Sequence, residues 1–193
     1  MSVAGGITLG ILAGGRGTRL GGVDKAWLRR EGMSQVERLV QRMSPGVDEV
    51  LIGANSKLEA YAALGFTAVP DLRPGLGPLA GLEALCQACS GEWLLTAPVD
   101  LFNVNDCLLR RLKARGGPGA YAVDADGPQP LVALWHVATL RPALAAAIEA
   151  GDLAVHRLQA RLGMVPLRLD GVRFGNLNTP QDLAEVGMKL PDD

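Results

Sequence analysis

Short apolar runs alternate with helically spaced stretches along most of this chain. The runs Ile7 to Leu12, Val50 to Gly53, Thr67 to Val69, Trp93 to Ala97, Tyr121 to Val123, Leu131 to Trp135 and Val165 to Leu169 read as strands. Most are bounded by Gly, Pro, Asn, Asp or Ser, the residues that punctuate strands. Apolar positions recurring at i, i+3 and i+4 predict helices at about Gln35 to Met43, Leu58 to Leu64, Leu79 to Cys89, Asp106 to Ala114, Ala138 to Ala150, Val155 to Leu162 and Pro180 to Val186. From Ile7 to Ala97 strands and helices alternate strictly, the signature of right-handed βαβ units that build a parallel sheet buried on both faces. The expected fold is an α/β three-layer sandwich, a mostly parallel Rossmann-like sheet with helices on both faces. After Arg115 the rhythm changes, and "GGPGAYAVDADGPQPLVALW" predicts a hairpin or flap over 116 to 130, with room for a lid, in place of another crossover.

Composition narrows the function classes. At 193 residues, 48% hydrophobic and 20% charged, the chain is long enough for a full core and is expected to form one domain, 1–193. Nineteen basic against 20 acidic residues leave a net charge of −1, so no field of one sign covers the surface. A general nucleic-acid binder is excluded, and any anion site must be local. No run approaches the ~18 apolar residues of a membrane span and no signal peptide is legible, so the expectation is a cytoplasmic protein without a membrane partner. The 3 cysteines include Cys86 and Cys89 in an apolar helical stretch, which read as buried thiols. No second cysteine pair or histidine cluster is there to complete a zinc site. His136 and His156 have no partner acid at an obvious spacing and read as structural, while Trp27, Trp93 and Trp135 read as core or core rim.

The chemistry concentrates in "LAGGRGTRLGGVDK", residues 12 to 25. A P-loop needs Lys-Ser/Thr after its last glycine, but Gly22 is followed by Val23 and Asp24; a dinucleotide fingerprint starting at Gly15 needs glycine where Leu20 stands. Both are excluded. What remains is a loop leaving the first strand at its carboxyl end, where Gly14, Gly15 and Gly17 bare their amides to wrap a phosphate and Arg16, Arg19 and Lys25 add positive charge. The competing reading is a glycine-rich surface turn with solvated charges. Asp100 follows the buried strand of "EWLLTAP" and Asp71 follows "FTAVP", so both carboxylates are expected to reach the loop from neighbouring strands. Asp100 also reads as a cap for a helix beginning near Asn103. Near the carboxyl end, Asn176 and Asn178 bracket Leu177, which places both amides on one face with Leu177 inward.

The loop resembles the nucleotide-binding signature of the molybdenum cofactor guanylyltransferases. Four further segments strengthen the resemblance in order and spacing: "DLRPGLGPLAGLEAL" at 71 to 85, "LLTAPVD" at 94 to 100, "QPLVALW" at 129 to 135 and "FGNLNTPQDL" at 174 to 183. The resemblance implies a nucleotidyltransferase sheet and transfer of GMP from GTP to the terminal phosphate of molybdopterin, with pyrophosphate leaving and Mg²⁺ as cofactor. It implies that Arg19, Lys25 and Asp100 are catalytic, with Asp100 on the metal. Leu12, Ala13, Gly14, Gly15, Lys25, Asn55, Asp71, Gly77 and Asp100 would hold the nucleotide, and Asn176 and Asn178 the acceptor. Gly77 and Gly81 would let the base approach closely. GTP and molybdopterin are then the partners, with transient contacts to other cofactor-handling proteins because molybdopterin is labile. Two stretches depart from the family pattern. "LFNVN" follows Asp100 where a proline-containing turn is usual, and "REGMSQVERL" lacks the usual Leu, a change expected to matter only for packing. Cytidylyl transfer to the same acceptor is the first rival, disfavoured because cytidylyl relatives tend to carry "LAAG" in place of "LAGG". A sugar-phosphate nucleotidyltransferase and a non-catalytic nucleotide-binding adaptor are the others.

Overall fold

The computed structural model describes residues 5–14, 23–104 and 107–189. In chain order the elements are β1 (Ile7–Leu12), a 3-10 turn (Lys25–Trp27), β2 (Arg29–Arg30), β3 (Met33–Ser34), α1 (Gln35–Met43), β4 (Glu49–Gly53), α2 (Leu58–Ala63), β5 (Thr67–Val69), α3 (Pro78–Ala88), β6 (Trp93–Pro98), α4 (Leu108–Lys113), β7 (Gly119–Asp124), β8 (Gly127–His136), α5 (Val137–Glu149), α6 (Val155–Leu162), β9 (Val165–Arg168) and α7 (Pro180–Glu185). Each expected strand and helix has its counterpart. The β2–β3 ribbon is additional, too short to show an alternating pattern. The expected start of α4 at Asp106 lies outside the described residues.

One 7-stranded sheet has the order β5-β4-β1-β6-β8-β7-β9. β1 pairs in parallel with both β4 and β6, β4 with β5, and β7 with β9; only β8 runs against its neighbours. Because β1 is covered on both faces its sequence is almost continuously apolar, and even Thr8 is buried. Strand alternation then sorts the core in two. Ile7, Leu9, Ile11, Leu95 and Leu134 face Val36, Leu39 and Val40 of α1 and Leu108 and Leu112 of α4. Leu51, Leu94, Ala133 and Trp135 face Leu82 and Leu85 of α3, Leu140 and Leu144 of α5 and Leu158 of α6. That is the three-layer sandwich.

The strand order also fixes where a ligand goes. From β1 the chain builds outward through β4 to β5, then returns to lay β6 on the other flank of β1, so the connections diverge between β1 and β6. In open sheets such a switch point leaves a crevice beyond the carboxyl ends of the strands. The order corrects one expectation: β5 and β6 are not neighbours, since β4 and β1 stand between them, so Asp71 and Asp100 leave the sheet at separate places.

Residues 116 to 130 form the expected hairpin and no lid, because β7 is held between β8 and β9 inside the sheet. Asp124 pairs with Gly127 across a turn made of Ala125 and Asp126. The buried thiols are as expected: burial pushes Cys86 up to about 11 and Cys89 above its ordinary value. His136 does meet an acid, Glu92 at 3.4 Å, because β6–β8 pairing sets Trp93 against His136. The contact joins residues 44 positions apart, which no local spacing reveals.

Asp124 anchors the hairpin to the segment that follows β9. Its carboxylate is buried, yet accepts from the backbone N–H of Phe174 (2.9 Å), the N–H of Asp126 (3.0 Å) and the Gln129 amide (3.1 Å). Burial alone would raise its pKa; the donors, Phe174 foremost, outweigh it and hold the group below the ordinary 3.8. A carboxylate depressed on folding contributes stability that is present above its unfolded pKa and lost as pH falls through the folded value. All three groups are donors, and an asparagine accepts at only one oxygen. Asp124→Asn is expected to lower stability by about 1–3 kcal/mol at pH 7 and to flatten the acid limb of stability below pH 4, read by urea unfolding across pH.

Candidate active site

At the switch point, three side chains far apart in sequence meet. The ammonium of Lys25 donates to Oδ2 of Asp100 at 3.0 Å and to Oδ1 of Asn178 at 2.6 Å, across 75 and 153 positions of chain. Each is set by its own local device. Lys25 begins the 3-10 turn, capped by Asp24, whose side chain accepts from the Ala26 N–H at 3.1 Å, while Ala26 and Leu28 sink fully into the protein. Asp100 stands in the turn after β6. There the Val99 N–H reaches the carbonyl of Leu12 at 3.0 Å, joining the ends of β1 and β6, and the Leu177 N–H reaches the Asp100 carbonyl at 3.0 Å. Asn178 is held by the start of α7, where the Asp182 carboxylate accepts from the N–H groups of Asn178 (2.8 Å) and Thr179 (2.7 Å). Those bonds, with Lys25 nearby, keep Asp182 below the ordinary carboxylate range. Underneath, Leu177 packs with Leu28, Leu183 and Met188.

Asn176 bridges Leu101 through its backbone and is exposed; of the two asparagines, Asn178 is the one whose amide joins the cluster. Among the described residues Asp100 caps no helix near Asn103: α4 is described from Leu108, and Asn103 binds the carbonyls of Phe174 (3.0 Å) and Arg173 (2.9 Å).

A second group of expected residues gathers on the β4 side of β1. Asn55 and Asp71 grip each other, the Asn55 amide donating to Asp71 Oδ2 at 2.7 Å and the Asp71 N–H donating to Asn55 Oδ1 at 2.8 Å. Beyond Leu12 the Ala13 N–H still pairs with Gly53 O at 2.9 Å, which carries the chain toward this pair. A methyl group on Gly14 would lie 3.5 Å from the Asn55 amide; one on Gly81 would lie 2.8 Å from Leu12 Cδ2 and 3.7 Å from Asp71 Oδ1. Leu12, Ala13, Gly14, Asn55, Asp71 and Gly81 thus form one pole of the crevice, and Lys25, Asp100 and Asn178 the other. Gly15, Arg16, Gly17 and Arg19 lie outside the described residues.

One side chain had no role in the sequence reading beyond starting a helix. Gln35, 2% exposed at the start of α1, donates from its amide to the carbonyls of Val99 (2.9 Å) and Leu101 (2.6 Å), on either side of Asp100. The stretch "REGMSQVERL" thus also carries a side chain that bonds the turn around Asp100. A partial signal was present, since Ser34 and Glu37 form a capping box that marks Gln35 as the first helical residue, but capping says nothing about the partner of its side chain.

Among the described residues no three His, Cys, Asp or Glu side chains gather as a metal cage. No helix of the described residues is long and apolar enough to cross a membrane.

Gly77 and Gly81 divide their work. Among the described residues nothing lies within 4 Å of a methyl added at Gly77, but its φ of +58° and ψ of −142° suit glycine alone, and this geometry delivers Pro78 to the first position of α3. Gly77→Ala is expected to cost about 1–3 kcal/mol of stability in urea unfolding, through backbone strain and not through lost space.

The chain is similar to proteins of one family along nearly all of its length. The family model of the MobA-like NTP transferase domain matches residues 9–165. A molybdenum cofactor guanylyltransferase of Cereibacter sphaeroides is 39% identical over 189 residues, covering 95% of this chain and 96% of the relative. One from Shewanella sp. (strain MR-4) is 35% identical over 187 residues, 93% and 94% of the two chains. Among solved structures, molybdopterin-guanine dinucleotide biosynthesis protein A from Archaeoglobus fulgidus matches with a TM-score of 0.72 at 23% identity, over 92% of this chain and 95% of that one. The 2-C-methyl-D-erythritol 4-phosphate cytidylyltransferase from Thermus thermophilus shares the fold with a TM-score of 0.67 at 21% identity, covering 91% and 95%. With the family model spanning most of the chain and close relatives along nearly all of it, the chain belongs to the MobA-like NTP transferases and groups there with the molybdenum cofactor guanylyltransferases.

Proposed function

We propose that this protein transfers GMP from GTP to the terminal phosphate of molybdopterin and releases pyrophosphate. The observation that carries the reading is the meeting of Lys25, Asp100 and Asn178 at the β1/β6 switch point, in a chain whose relatives are guanylyltransferases. The two poles lie on either side of the end of β1. The base and ribose would rest on Leu12, Ala13, Gly14, Asn55 and Asp71, and the phosphates would extend toward Lys25.

The reaction needs no covalent enzyme intermediate. An acceptor phosphate oxygen must be aligned with the α-phosphorus, and the charge that develops toward pyrophosphate must be neutralised. Lys25 supplies a fixed positive charge with donors to spare once a phosphate replaces Asp100 or Asn178 as its partner. Asn178 would turn its amide to the acceptor, with Asn176 beside it, and the same reading assigns Arg19 to the departing phosphates.

The donor set around Asp100 suits Mg²⁺: one carboxylate of which Lys25 engages only Oδ2 among the described residues, beside an amide oxygen, with no soft ligand. Asp100 would hold the ion, with water and phosphate oxygens completing the shell. Bound there, Mg²⁺ supplies charge neutralisation between two mutually repelling phosphates.

Guanine over cytosine is favoured by the Gly14-Gly15 pair of "LAGG" and by relatives that are guanylyltransferases. Among the described residues an alanine at position 14 would make only ordinary contacts with Asn55 and Gly53, which leaves room for a ligand against that position. The non-catalytic alternative predicts nucleotide binding without turnover.

Calorimetric titration is expected to show GTP binding tighter than CTP or ATP, and tighter with Mg²⁺ than without; a preference for CTP moves the protein to cytidylyl transfer. Asp100→Asn is expected to reduce pyrophosphate release from GTP and molybdopterin by about 10²–10³-fold with the fold intact by circular dichroism. Unchanged turnover would remove Asp100 from the chemistry.

A further inference from the structure

The three consecutive carbonyls of Val99, Asp100 and Leu101 each have a dedicated donor. Gln35 takes the first and third, those of Val99 and Leu101, and the Leu177 N–H takes the second, that of Asp100 itself. The residue doing most of this is almost fully buried, and it belongs to another element: α1 delivers it from beneath the site, fixed by the Ser34–Glu37 capping box and by the Gln35 N–H bond to Leu28 O at 2.8 Å. The same helix start therefore bonds to the backbone beside both halves of the ion pair. Through its backbone Gln35 holds the turn that follows Lys25, and through its side chain it holds the turn that carries Asp100.

We propose that Gln35 is a positioning residue for the transfer reaction: it fixes the Asp100 carboxylate against Lys25 and contacts no substrate. This rests on the functional reading above. The physical reason is that "VDLFN" contains no proline to stiffen it, so the orientation of the Asp100 peptide depends on what its carbonyls bind. A primary amide presents two N–H groups in one plane, and a single Gln can therefore bridge two carbonyls that flank one residue. A carboxylate that must meet a phosphate or a cation within a few tenths of an ångström loses much of its effect when its support loosens, and removal of such outer supports typically costs about 10–100-fold. Mere satisfaction of buried polar groups would give Gln35 a role in stability alone, and the two roles are separable by experiment.

The test is Gln35→Leu, with Gln35→Met as the second variant of similar length and Leu39→Ala as a control that weakens the same helix. Turnover is measured as pyrophosphate release from GTP and molybdopterin, in wild-type and Asp100→Asn backgrounds. Amide hydrogen exchange at Val99, Leu101 and Leu177 is followed by NMR. The expected result is a 10–100-fold fall in kcat with KM for GTP within about twofold, and exchange at the three amides faster by about tenfold or more while β1 stays protected. Leu39→Ala lowers Tm but leaves kcat unchanged below the transition. In the Asp100→Asn background the same Gln35 substitution should cost little further, because its effect travels through Asp100. The proposal is overturned if Gln35→Leu and Gln35→Met cost the same factor with or without Asp100, or if exchange at the three amides does not change. A wild type that releases no pyrophosphate would count against the functional reading, and hydrogen exchange would still decide whether Gln35 holds the turn.

Discussion

The interaction on which the site depends is the ammonium of Lys25 held between Asp100 and Asn178. It closes a triangle among the turn after β1, the turn after β6 and the segment before α7, regions that share no sequence neighbourhood. The pair is largely shielded, with side-chain exposures of 18% and 23%. Its importance is geometric. A cation that already has two oxygen partners at the mouth of a crevice is placed to exchange either of them for phosphate oxygens, without a large rearrangement of backbone. The scaffolding makes that exchange local: Val99 N–H on Leu12 O, Leu177 N–H on Asp100 O and Gln35 on both neighbours of Asp100 leave the side chains as the parts that can move.

The sheet explains why the site has two poles. A parallel sheet forces every connection to start from the same edge, and the reversal of direction at β1 leaves that edge open between β1 and β6. On one side of β1, Asn55 and Asp71 bind each other reciprocally and present a planar, hydrogen-bonding surface beside Gly14 and Gly81. On the other, charge predominates. A nucleoside triphosphate has the matching asymmetry, with a flat hydrogen-bonding base at one end and phosphates at the other. The small apolar cluster of Leu28, Leu177, Leu183 and Met188 then acts as a clasp, since it presses the segment bearing Asn178 onto the turn bearing Lys25.

Much of the fold was legible because doubly buried parallel strands leave uninterrupted apolar runs, as in "ITLGIL" and "WLLTAP". Their spatial order was not, which is why Asp71 and Asp100 were expected on neighbouring strands although β4 and β1 separate β5 from β6. Lys25 after the glycines and Asp100 at a strand tip stand out as candidates by type and position, and the structure brings the two together at 3.0 Å. His136 with Glu92, and Gln35 with Val99 and Leu101, were not legible, because a hydrogen bond across the sheet or from a helix start to a distant turn leaves no local periodicity. A buried glutamine is legible only once the carbonyls it serves are in place.

The central claim is that one GTP spans both poles, with its base beside Asn55 and Asp71 and its phosphates at Lys25. A crystal structure with a GTP analogue that cannot lose pyrophosphate tests this most directly. The account predicts the base against Asn55, Asp71 and Gly14, and a phosphate oxygen within hydrogen-bonding distance of the Lys25 ammonium. A nucleotide bound elsewhere, or one whose phosphates lie on Asp71 with the Lys25–Asp100–Asn178 triangle undisturbed, would contradict it.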